Sequence, residues 1–191
     1  MLHDIKKYIT DSLDVKTSLL HDAALLNKIE HAVEIIINSY KQNNKVIVAG
    51  NGGSAADAQH MAGEFVSRFY FDRPALPAIA ITTDSSIITA IGNDYGYDKI
   101  FLRQIEAHAK SGDVYIAIST SGNSINIIKS LKICKQLNVS TIGLTGKKYA
   151  SMDQYCDIML KVDSDETPRV QEAHLLIEHI ICALVEKSLF A

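Results

Sequence analysis

Two segments of this sequence place side chains that can transfer protons or bind a metal ion at helical spacing. His60 and Glu64 lie four residues apart in AGNGGSAADAQHMAGEF, so on a helix they project from the same face. Gln171 and His179 lie eight residues apart in TPRVQEAHLLIEH, and roughly 80° around a helix separates them, so they can share a broad face. An imidazole and a carboxylate on one face can form an acid–base pair or bind one metal ion. His174 lies between Gln171 and His179, and spacing alone does not decide which histidine matters. The spacing also fits a surface His–Glu pair and a structural histidine in an amphipathic helix.

Two short loops rich in glycine and serine follow predicted strands. GNGGS occupies residues 50–54 and STSGNS occupies residues 119–124, and a helical pattern follows each loop. A helix N-terminus offers free backbone N–H groups and a partial positive charge, which suit a phosphate. The same residues also serve as ordinary helix caps. Two such loops at the ligand-binding edge of one sheet nevertheless favour a phosphate site.

A dinucleotide site is the alternative interpretation of the first loop. Gly50, Gly52 and Ala55 match G-x-G-x-x-A directly after a strand. That motif also requires an acidic residue about 20 positions further on, at the end of the second strand, to hold the ribose. Asp84 in ITTDSS is a late and imperfect match, and a dinucleotide would leave STSGNS without an obvious task. The sequence therefore favours a phosphate pocket without a dinucleotide.

Short apolar runs rich in valine and isoleucine must position these loops. They occupy residues 46–50, 78–82, 114–119, 141–145 and 157–162. Continuous apolar strands that alternate with helices are typical of a parallel sheet covered on both faces. The expected fold is α/β, a three-layer α/β/α sandwich with a five-stranded parallel sheet. Residues 13–40 have helical periodicity, so one or two helices precede the sheet, and a long helix from about Pro168 closes the chain.

Composition limits the classes of protein to which the chain can belong. Its 191 residues suit one domain, 1–191, with an N-terminal helical region, 1–43, and an α/β core with its closing helix, 44–191. The formal net charge is −3 and no Lys/Arg cluster stands out, so no nucleic-acid partner is expected. No signal-peptide or membrane-spanning pattern appears, so a cytoplasmic protein is expected. Three widely spaced cysteines without a CxxC motif agree with a reducing compartment.

Several motifs together resemble those of the phosphoheptose isomerases, which are sugar isomerase (SIS) domain proteins. The motifs are AGNGGSAADAQHMAGEF, RPALPAIAI, GNDYG, ISTSGNS, LTGK and TPRVQEAHLLIEH, in this order between about residues 35 and 188. The phosphate loops are shared by all SIS domains, whereas HxxxE combined with QExHxxxxH is much narrower. The resemblance implies a cytoplasmic homotetramer with active sites at subunit contacts. It also implies interconversion of sedoheptulose 7-phosphate and D-glycero-D-manno-heptose 7-phosphate, the first step of ADP-heptose synthesis for cell-surface glycans such as lipopolysaccharide.

The resemblance also implies roles for individual residues. Glu64 and His179 would be the catalytic acid–base pair, and one Zn²⁺ per subunit would be bound by His60, Glu64, Gln171 and His179. The implied substrate-binding residues are Asn51, Gly52, Gly53, Ser54, Glu64, Asn93, Asp94, Ser119, Thr120, Ser121, Ser124 and Gln171. A zinc-bound glutamate is a poorer base than a free one. We therefore expect a labile ion, which agrees with a site that lacks thiolate ligands.

At three further positions the resemblance gives only a weaker indication of a role, or none. Arg68 is an additional candidate for the phosphate site. His174 lies outside the expected acid–base pair, and we expect it to support the site or the structure. Some family members carry an aspartate shortly before the QE motif, in the stretch where this chain has DETPRVQ. Pro168 cannot supply a carboxylate, so any role of that aspartate does not transfer.

Residues of these types can supply the groups that aldose–ketose isomerisation requires. It needs a base for a C–H proton, an acid for the oxygens and stabilisation of an enediolate. A remote phosphate supplies binding energy that positions the reacting carbons. The alternative is a non-catalytic SIS protein that binds a replication initiator or senses a sugar phosphate. Such a protein would share the loops without needing the acid–base and metal set, and this chain carries the full set without a DNA-binding appendage.

Overall fold

The computed structural model describes residues 1–191 as seven α-helices, five strands and two short 3₁₀ helices. The helices are α1 (Leu2–His21), α2 (Ala23–Lys41), α3 (Gly53–Val66), α4 (Ser85–Tyr95), α5 (Ile100–His108), α6 (Ile125–Gln136) and α7 (Thr167–Phe190). The strands are β1 (Val46–Gly50), β2 (Ala78–Ala80), β3 (Val114–Ile118), β4 (Ser140–Gly146) and β5 (Ile158–Val162). The 3₁₀ helices span Tyr97–Lys99 and Ser151–Tyr155.

All five strands are parallel and lie in the order β2-β1-β3-β4-β5. Gly50 at the end of β1 pairs with Ile118 at the end of β3, so the two loops that follow these strands begin side by side. The strand order reverses direction between β1 and β3. In open parallel sheets such a reversal opens a ligand-binding crevice at the carboxyl edge.

Alternate residues of the central strands face two separate hydrophobic cores. Val46 and Val48 of β1 pack with α2, α3 and α7, whereas Ile47 and Ala49 pack with α5 and α6. This alternation follows from the two-residue period of a strand, and both faces are apolar because both are covered by helices. The expected three-layer α/β/α sandwich with a five-stranded parallel sheet is confirmed.

The structure differs from the sequence-based boundaries at two places where an aspartate caps a helix. The helical pattern of residues 13–40 is interrupted at Asp22, whose Oδ1 accepts the Leu25 N–H at 2.9 Å and begins α2. The strand expected at residues 78–82 ends at Ala80. Asp84 then caps α4 by accepting the Ile87 N–H at 2.9 Å. The acidic residue considered for ribose binding therefore serves as a helix cap. None of the helices is long and apolar enough to cross a lipid bilayer.

Gly50 allows the first turn of α3 to approach the end of β1 closely. A Cβ atom at this position would lie 2.4 Å from the carbonyl oxygen of Ser54 and 2.7 Å from its carbonyl carbon. Because these are main-chain atoms, the start of α3 would have to shift. We expect Gly50→Ala to lower the free energy of unfolding by about 1–3 kcal/mol, measured by urea denaturation.

Gly63→Ala is the matched control for this substitution. Gly63 lies within α3, and a Cβ atom there would meet nothing within 4 Å. Alanine should therefore raise the free energy of unfolding by about 0.5–1 kcal/mol through its better helix propensity. Equal stabilities of the two variants would contradict the steric role assigned to Gly50.

Candidate active site

The Gly-rich loop after β1 and the Ser-rich loop after β3 border one cavity at the carboxyl edge of the sheet. Its volume is about 290 Å³. The predicted substrate residues that line it are Asn51, Gly52, Gly53, Ser54, Ser119, Thr120, Ser124 and Gln171. Helices α3 and α6 begin at these loops, so the N-terminal ends of two helices, which carry partial positive charge, lie at this edge of the sheet. We call it the phosphate cavity, because the positive ends of two helices suit an anion.

Glycines in left-handed conformations and a serine hydroxyl shape the two loops. Gly52 has φ 58° and Gly122 has φ 62°, a backbone conformation that residues other than glycine rarely adopt. The Gly122 N–H donates to Ser119 Oγ at 3.1 Å, and Ser119 Oγ lies 3.1 Å from Ser124 Oγ. The Ser-rich loop is therefore held by its own hydroxyl groups.

An asparagine pair ties the two loops together. Asn51 Nδ2 donates to Asn126 Oδ1 at 2.9 Å, and Asn126 Nδ2 donates back to Asn51 Oδ1 at 2.9 Å. Tyr97 Oη donates to the same Asn51 oxygen at 3.1 Å. Sequence reasoning missed Asn126 and Tyr97. Asn126 follows STSGNS by two positions and Tyr97 directly follows GNDYG, so proximity to these motifs was the available signal for both.

Five of the predicted substrate and phosphate residues lie outside this cavity, and one of them, Glu64, is described below with the histidines. Ser121 is in the same loop but lines a neighbouring cavity with Lys148. Asn93 and Asp94 are exposed near the end of α4, where Asn93 Nδ2 donates to Asp94 Oδ1 at 2.8 Å. Arg68 is exposed just after α3. The roles assigned to these residues stay predictions.

The structure brings His60, Glu64 and His179 together from two helices. His60 Nε2 lies 2.8 Å from His179 Nε2 and 3.4 Å from Glu64 Oε1. The ring of Phe69, a residue that follows α3, packs against α7, and its centroid lies 5.6 Å from that of the His179 ring. The side chains of His60 and Glu64 are 45% and 24% exposed, so a ligand can reach both. This acid–base cluster, defined as His60, Glu64 and His179, can transfer protons.

Gln171 lies at the phosphate cavity and not at the acid–base cluster. A Cβ atom on Gly53 would be 2.4 Å from Gln171 Nε2. Gly53 and His60 thus meet Gln171 and His179 in the same order, so α3 and α7 run parallel. At about 1.5 Å of rise per residue, the seven-residue step in α3 is about 10 Å and the eight-residue step in α7 is about 12 Å. The cavity and the cluster therefore lie at successive positions along this pair of helices.

The acid–base cluster offers the nitrogen and carboxylate donor atoms that zinc prefers, but the distances between these atoms do not match a zinc site. Zinc prefers nitrogen and carboxylate ligands at about 2.0–2.2 Å, which separates tetrahedral ligands by about 3.3 Å. The His60 and His179 nitrogens are closer than this, at hydrogen-bonding distance. As the side chains stand, no group of three or more His, Cys, Asp or Glu residues is arranged to hold a metal ion. Rotation of the half-exposed His60 imidazole would open the spacing, so the residues fit the ion chemically.

Two titratable residues on α7 are buried without hydrogen-bond partners. His174 is fully buried and neither ring nitrogen makes a hydrogen bond of normal geometry; burial lowers its pKa to about 4, and a weak interaction with the Thr145 backbone opposes this only in part. Glu178 is 1% exposed with both carboxyl oxygens unpartnered. Burial, together with the negative charge of Asp57, raises the pKa of Glu178 to about 8. Both residues are therefore largely uncharged at neutral pH, and His174, unlike His179, is closed to ligands.

The buried Glu178 should make stability fall as pH rises. The unfolded chain loses this proton near pH 4.5, whereas the folded protein keeps it to about pH 8. The folded state thus binds more protons over this interval, so the free energy of unfolding decreases with rising pH. We expect the neutral variant Glu178→Gln to be more stable than the wild type at pH 8 by about 1 kcal/mol, or roughly 2–4 °C in melting temperature.

Thermal melts between pH 5 and pH 8 in the presence of chelator measure this effect. The difference in melting temperature between Glu178→Gln and wild type should shrink toward pH 5, where the buried side chain is uncharged in both proteins. Glu30→Gln, on the exposed face of α2, is the control and should follow the wild type at every pH. A constant difference across the range would show that Glu178 does not titrate as assigned.

Comparison with known proteins places these features in a family. The SIS domain family profile matches residues 7–146. The phosphoheptose isomerase of Aneurinibacillus thermoaerophilus is 57% identical over 186 residues, which cover 97% of this chain and 94% of the relative. Phosphoheptose isomerase 2 of Campylobacter jejuni is 58% identical over 186 residues, with 97% and 92% coverage.

A solved structure agrees with the sequence relatives. The phosphoheptose isomerase from Francisella tularensis superimposes with a TM-score of 0.93 at 35% identity, covering 97% of this chain and 98% of that one. The similarity extends over the phosphate cavity and both helices of the acid–base cluster, because it spans nearly the whole of each chain. The chain therefore belongs to the SIS domain family and, within it, to the phosphoheptose isomerases.

Proposed function

We propose that this protein is an aldose–ketose isomerase that converts sedoheptulose 7-phosphate into D-glycero-D-manno-heptose 7-phosphate. One observation carries the proposal: a carboxylate–imidazole cluster lies about 10 Å along α3 from a cavity formed by two helix N-termini. A phosphate bound at the cavity leaves the other end of an extended seven-carbon sugar near the cluster. Membership of the phosphoheptose isomerases supports the same substrate.

The chemistry of the cluster follows from the positions of its proton-transfer groups. Glu64 removes the proton from C1 of the ketose, and His179 donates a proton to the C2 oxygen, which yields the enediol. His179 then accepts the proton of the C1 hydroxyl while Glu64 returns its proton to C2. Hydrogen has moved from C1 to C2 and from O1 to O2, so the residues end in their starting states. The phosphate cavity supplies the binding energy that holds C1 and C2 in place.

We also propose one labile Zn²⁺ per subunit, bound by His60, Glu64, Gln171 and His179. When bound, the ion supplies Lewis-acid stabilisation of negative charge on the sugar oxygens. Two imidazoles and a carboxylate are already together in one chain. Gln171 lies at the phosphate cavity, about 12 Å of helix rise from His179, so we propose that the fourth ligand comes from a second copy.

A homotetramer with shared active sites would provide that second copy. The exposed face of α1 supports association, because large apolar side chains repeat along it at helical spacing. These residues are Leu2, Ile5, Ile9 and Leu13, which are 68%, 49%, 56% and 57% exposed. Apolar stripes of this kind mark interaction surfaces.

Co-expression of two inactive variants tests whether sites are shared. Glu64→Gln retains Gln171, and Gln171→Ala retains the whole acid–base cluster. If each site combines a cluster from one chain with Gln171 from another, mixed oligomers contain some intact sites and regain activity. The measurement is isomerase activity of the purified mixed oligomer, with each variant alone as control. Activity no higher than that of either variant would contradict the shared site.

The experiment that tests the function uses purified protein and sedoheptulose 7-phosphate. Aldoheptose 7-phosphate should appear in the ¹³C NMR spectrum, and chelator should slow its formation until zinc is restored. Fructose 6-phosphate is the control for chain length and should react poorly. If no aldoheptose formed under any metal condition, the non-catalytic alternative, a sugar-phosphate sensor or a partner of a replication initiator, would replace the isomerase.

The pathway and compartment extend this proposal. We place the reaction at the start of ADP-heptose synthesis for cell-surface heptose, including lipopolysaccharide, because the product is a heptose 7-phosphate. We place the enzyme in the cytoplasm. The free thiols of Cys134, Cys156 and Cys182 support a reducing compartment.

A further inference from the structure

A buried ion pair joins the far end of α3 to α7. Arg73 Nε donates to Glu186 Oε2 at 2.9 Å, and both side chains are only 1% exposed. Neither residue belongs to the predicted site. Burial of two charges is costly unless every polar atom is well partnered, so the contacts of each side chain show what the pair does.

Glu186 binds three consecutive backbone N–H groups in the segment that follows α3. Phe69 N–H and Tyr70 N–H donate to its two carboxyl oxygens at 2.7 and 2.6 Å, and Phe71 N–H donates at 3.2 Å. Burial alone would raise the pKa of Glu186, but these hydrogen bonds and the one from Arg73 outweigh it and lower the pKa. The carboxylate is therefore charged and holds the segment against α7.

Arg73 binds the last carbonyl groups of α3. Its Nη2 donates to the carbonyl oxygen of Glu64 at 2.9 Å, and its Nη1 donates to that of Phe65 at 2.7 Å and to that of Pro74 at 3.0 Å. The guanidinium thus supplies donors to carbonyls at a helix end, where the Phe65 oxygen also accepts the Leu76 N–H at 3.1 Å. One of them belongs to the residue whose side chain is the proposed base.

We propose that Arg73 and Glu186 are positioning residues for the acid–base pair, an inference that rests on the proposed isomerase function. Arg73 holds the end of the helix that carries Glu64. Glu186 holds the segment that carries Phe69, whose ring packs on His179 with centroids 5.6 Å apart. One ion pair therefore sets the place of the base on α3 and of the acid on α7, although neither side chain hydrogen-bonds the two imidazoles or the Glu64 carboxylate.

The geometry argues for positioning beyond general stabilisation. A buried ion pair contributes little net stability compared with well-packed apolar residues. What a guanidinium fork and a carboxylate add is direction, because five hydrogen bonds from a main-chain segment and a helix end converge on two rigid groups. A displacement of catalytic groups by about 1 Å can lower a rate about a hundredfold, so such direction matters for proton transfer.

Two conservative variants test the proposal. Glu186→Gln keeps the shape and one acceptor oxygen but removes the charge, and Arg73→Lys keeps the charge but removes the fork. We expect kcat for sedoheptulose 7-phosphate to fall about tenfold to hundredfold while KM stays near the wild-type value, because the phosphate cavity lies at the other end of α3. Glu106→Gln is the control: it breaks the exposed Arg103–Glu106 pair and should leave kcat unchanged.

A spectroscopic measurement keeps this inference separate from the isomerase proposal. The side-chain ¹H–¹⁵N signal of His179, assigned by its loss in His179→Gln, is recorded at one pH in metal-free protein. We expect it to shift in Glu186→Gln and Arg73→Lys and to stay in place in Glu106→Gln. An inactive wild type with a shifted signal in the variants would defeat the isomerase and retain the positioning role.

The overturning result is equally specific. Lower melting temperatures with an unchanged kcat per folded molecule and an unchanged His179 signal would show that the ion pair only stabilises the fold. If Glu186→Gln fails to fold, Arg73→Lys carries the test, because its charge remains available to Glu186.

Discussion

Glu64→Gln should fold and assemble like the wild type and lose isomerase activity by a factor of about 10²–10⁴. Glutamine has nearly the same shape as glutamate and can still hydrogen-bond His60, which lies 3.4 Å from the Glu64 carboxylate. It cannot accept a proton from carbon. The loss should therefore appear in kcat, while KM, which depends on the phosphate cavity about 10 Å away along α3, should change little.

Deuterium exchange adds a second readout for this variant. In D₂O the wild type should incorporate solvent deuterium at C1 of the ketose during turnover, because the base exchanges its proton with water. Glu64→Gln should abolish this exchange together with product formation. Glu34→Gln, at an exposed position on α2, is the matched control. Near wild-type turnover by Glu64→Gln would remove Glu64 from the role of base.

His179→Gln should lower kcat by a similar factor of about 10²–10⁴ for a different reason. The imidazole is held between His60 and the Phe69 ring, in position to serve the sugar oxygens. Without it, the enediolate formed by Glu64 lacks its acid and returns to ketose more often than it proceeds to aldose. Exchange at C1 should therefore persist relative to product formation, which distinguishes this variant from Glu64→Gln.

A double variant and a matched histidine control complete the test of His179. Glu64→Gln combined with His179→Gln should be hardly worse than the more damaged single variant, because the two residues act as a unit. His31→Gln, at an exposed position beside Glu34 on α2, should retain wild-type kcat. Multiplicative losses in the double variant would show that the two side chains work independently.

The elements with strong local signals could be predicted from the sequence. The five strands are continuous apolar runs, and their parallel order follows from alternation with helices. The contact between His60 and Glu64 follows from four-residue spacing, because a helix determines the relation between such neighbours without help from the rest of the fold. The place of the two loops beside one cavity could be predicted because ligands bind at the carboxyl ends of parallel strands.

Other features depend on residues that are distant in the sequence. Asn51 and Asn126 are 75 positions apart, and Arg73 and Glu186 are 113 positions apart, so no local pattern announces either pair. The position of the break at Asp22 was not predicted, because the apolar period continues across it from α1 into α2. A helix cap depends on one side chain accepting one N–H group, which periodicity does not reveal.

The sequence by itself determined the kinds of groups and their local spacing: a Gly-rich loop after a strand, a His–Glu pair one turn apart and a closing helix with Gln171 and His179. Only the tertiary structure decided which of them meet. Parallel packing of α3 and α7 places His179 beside His60 and leaves Gln171 at the phosphate cavity. The reason is physical: helical periodicity sets angles within one helix, whereas the register between two helices is set by packing and buried polar contacts along their whole length.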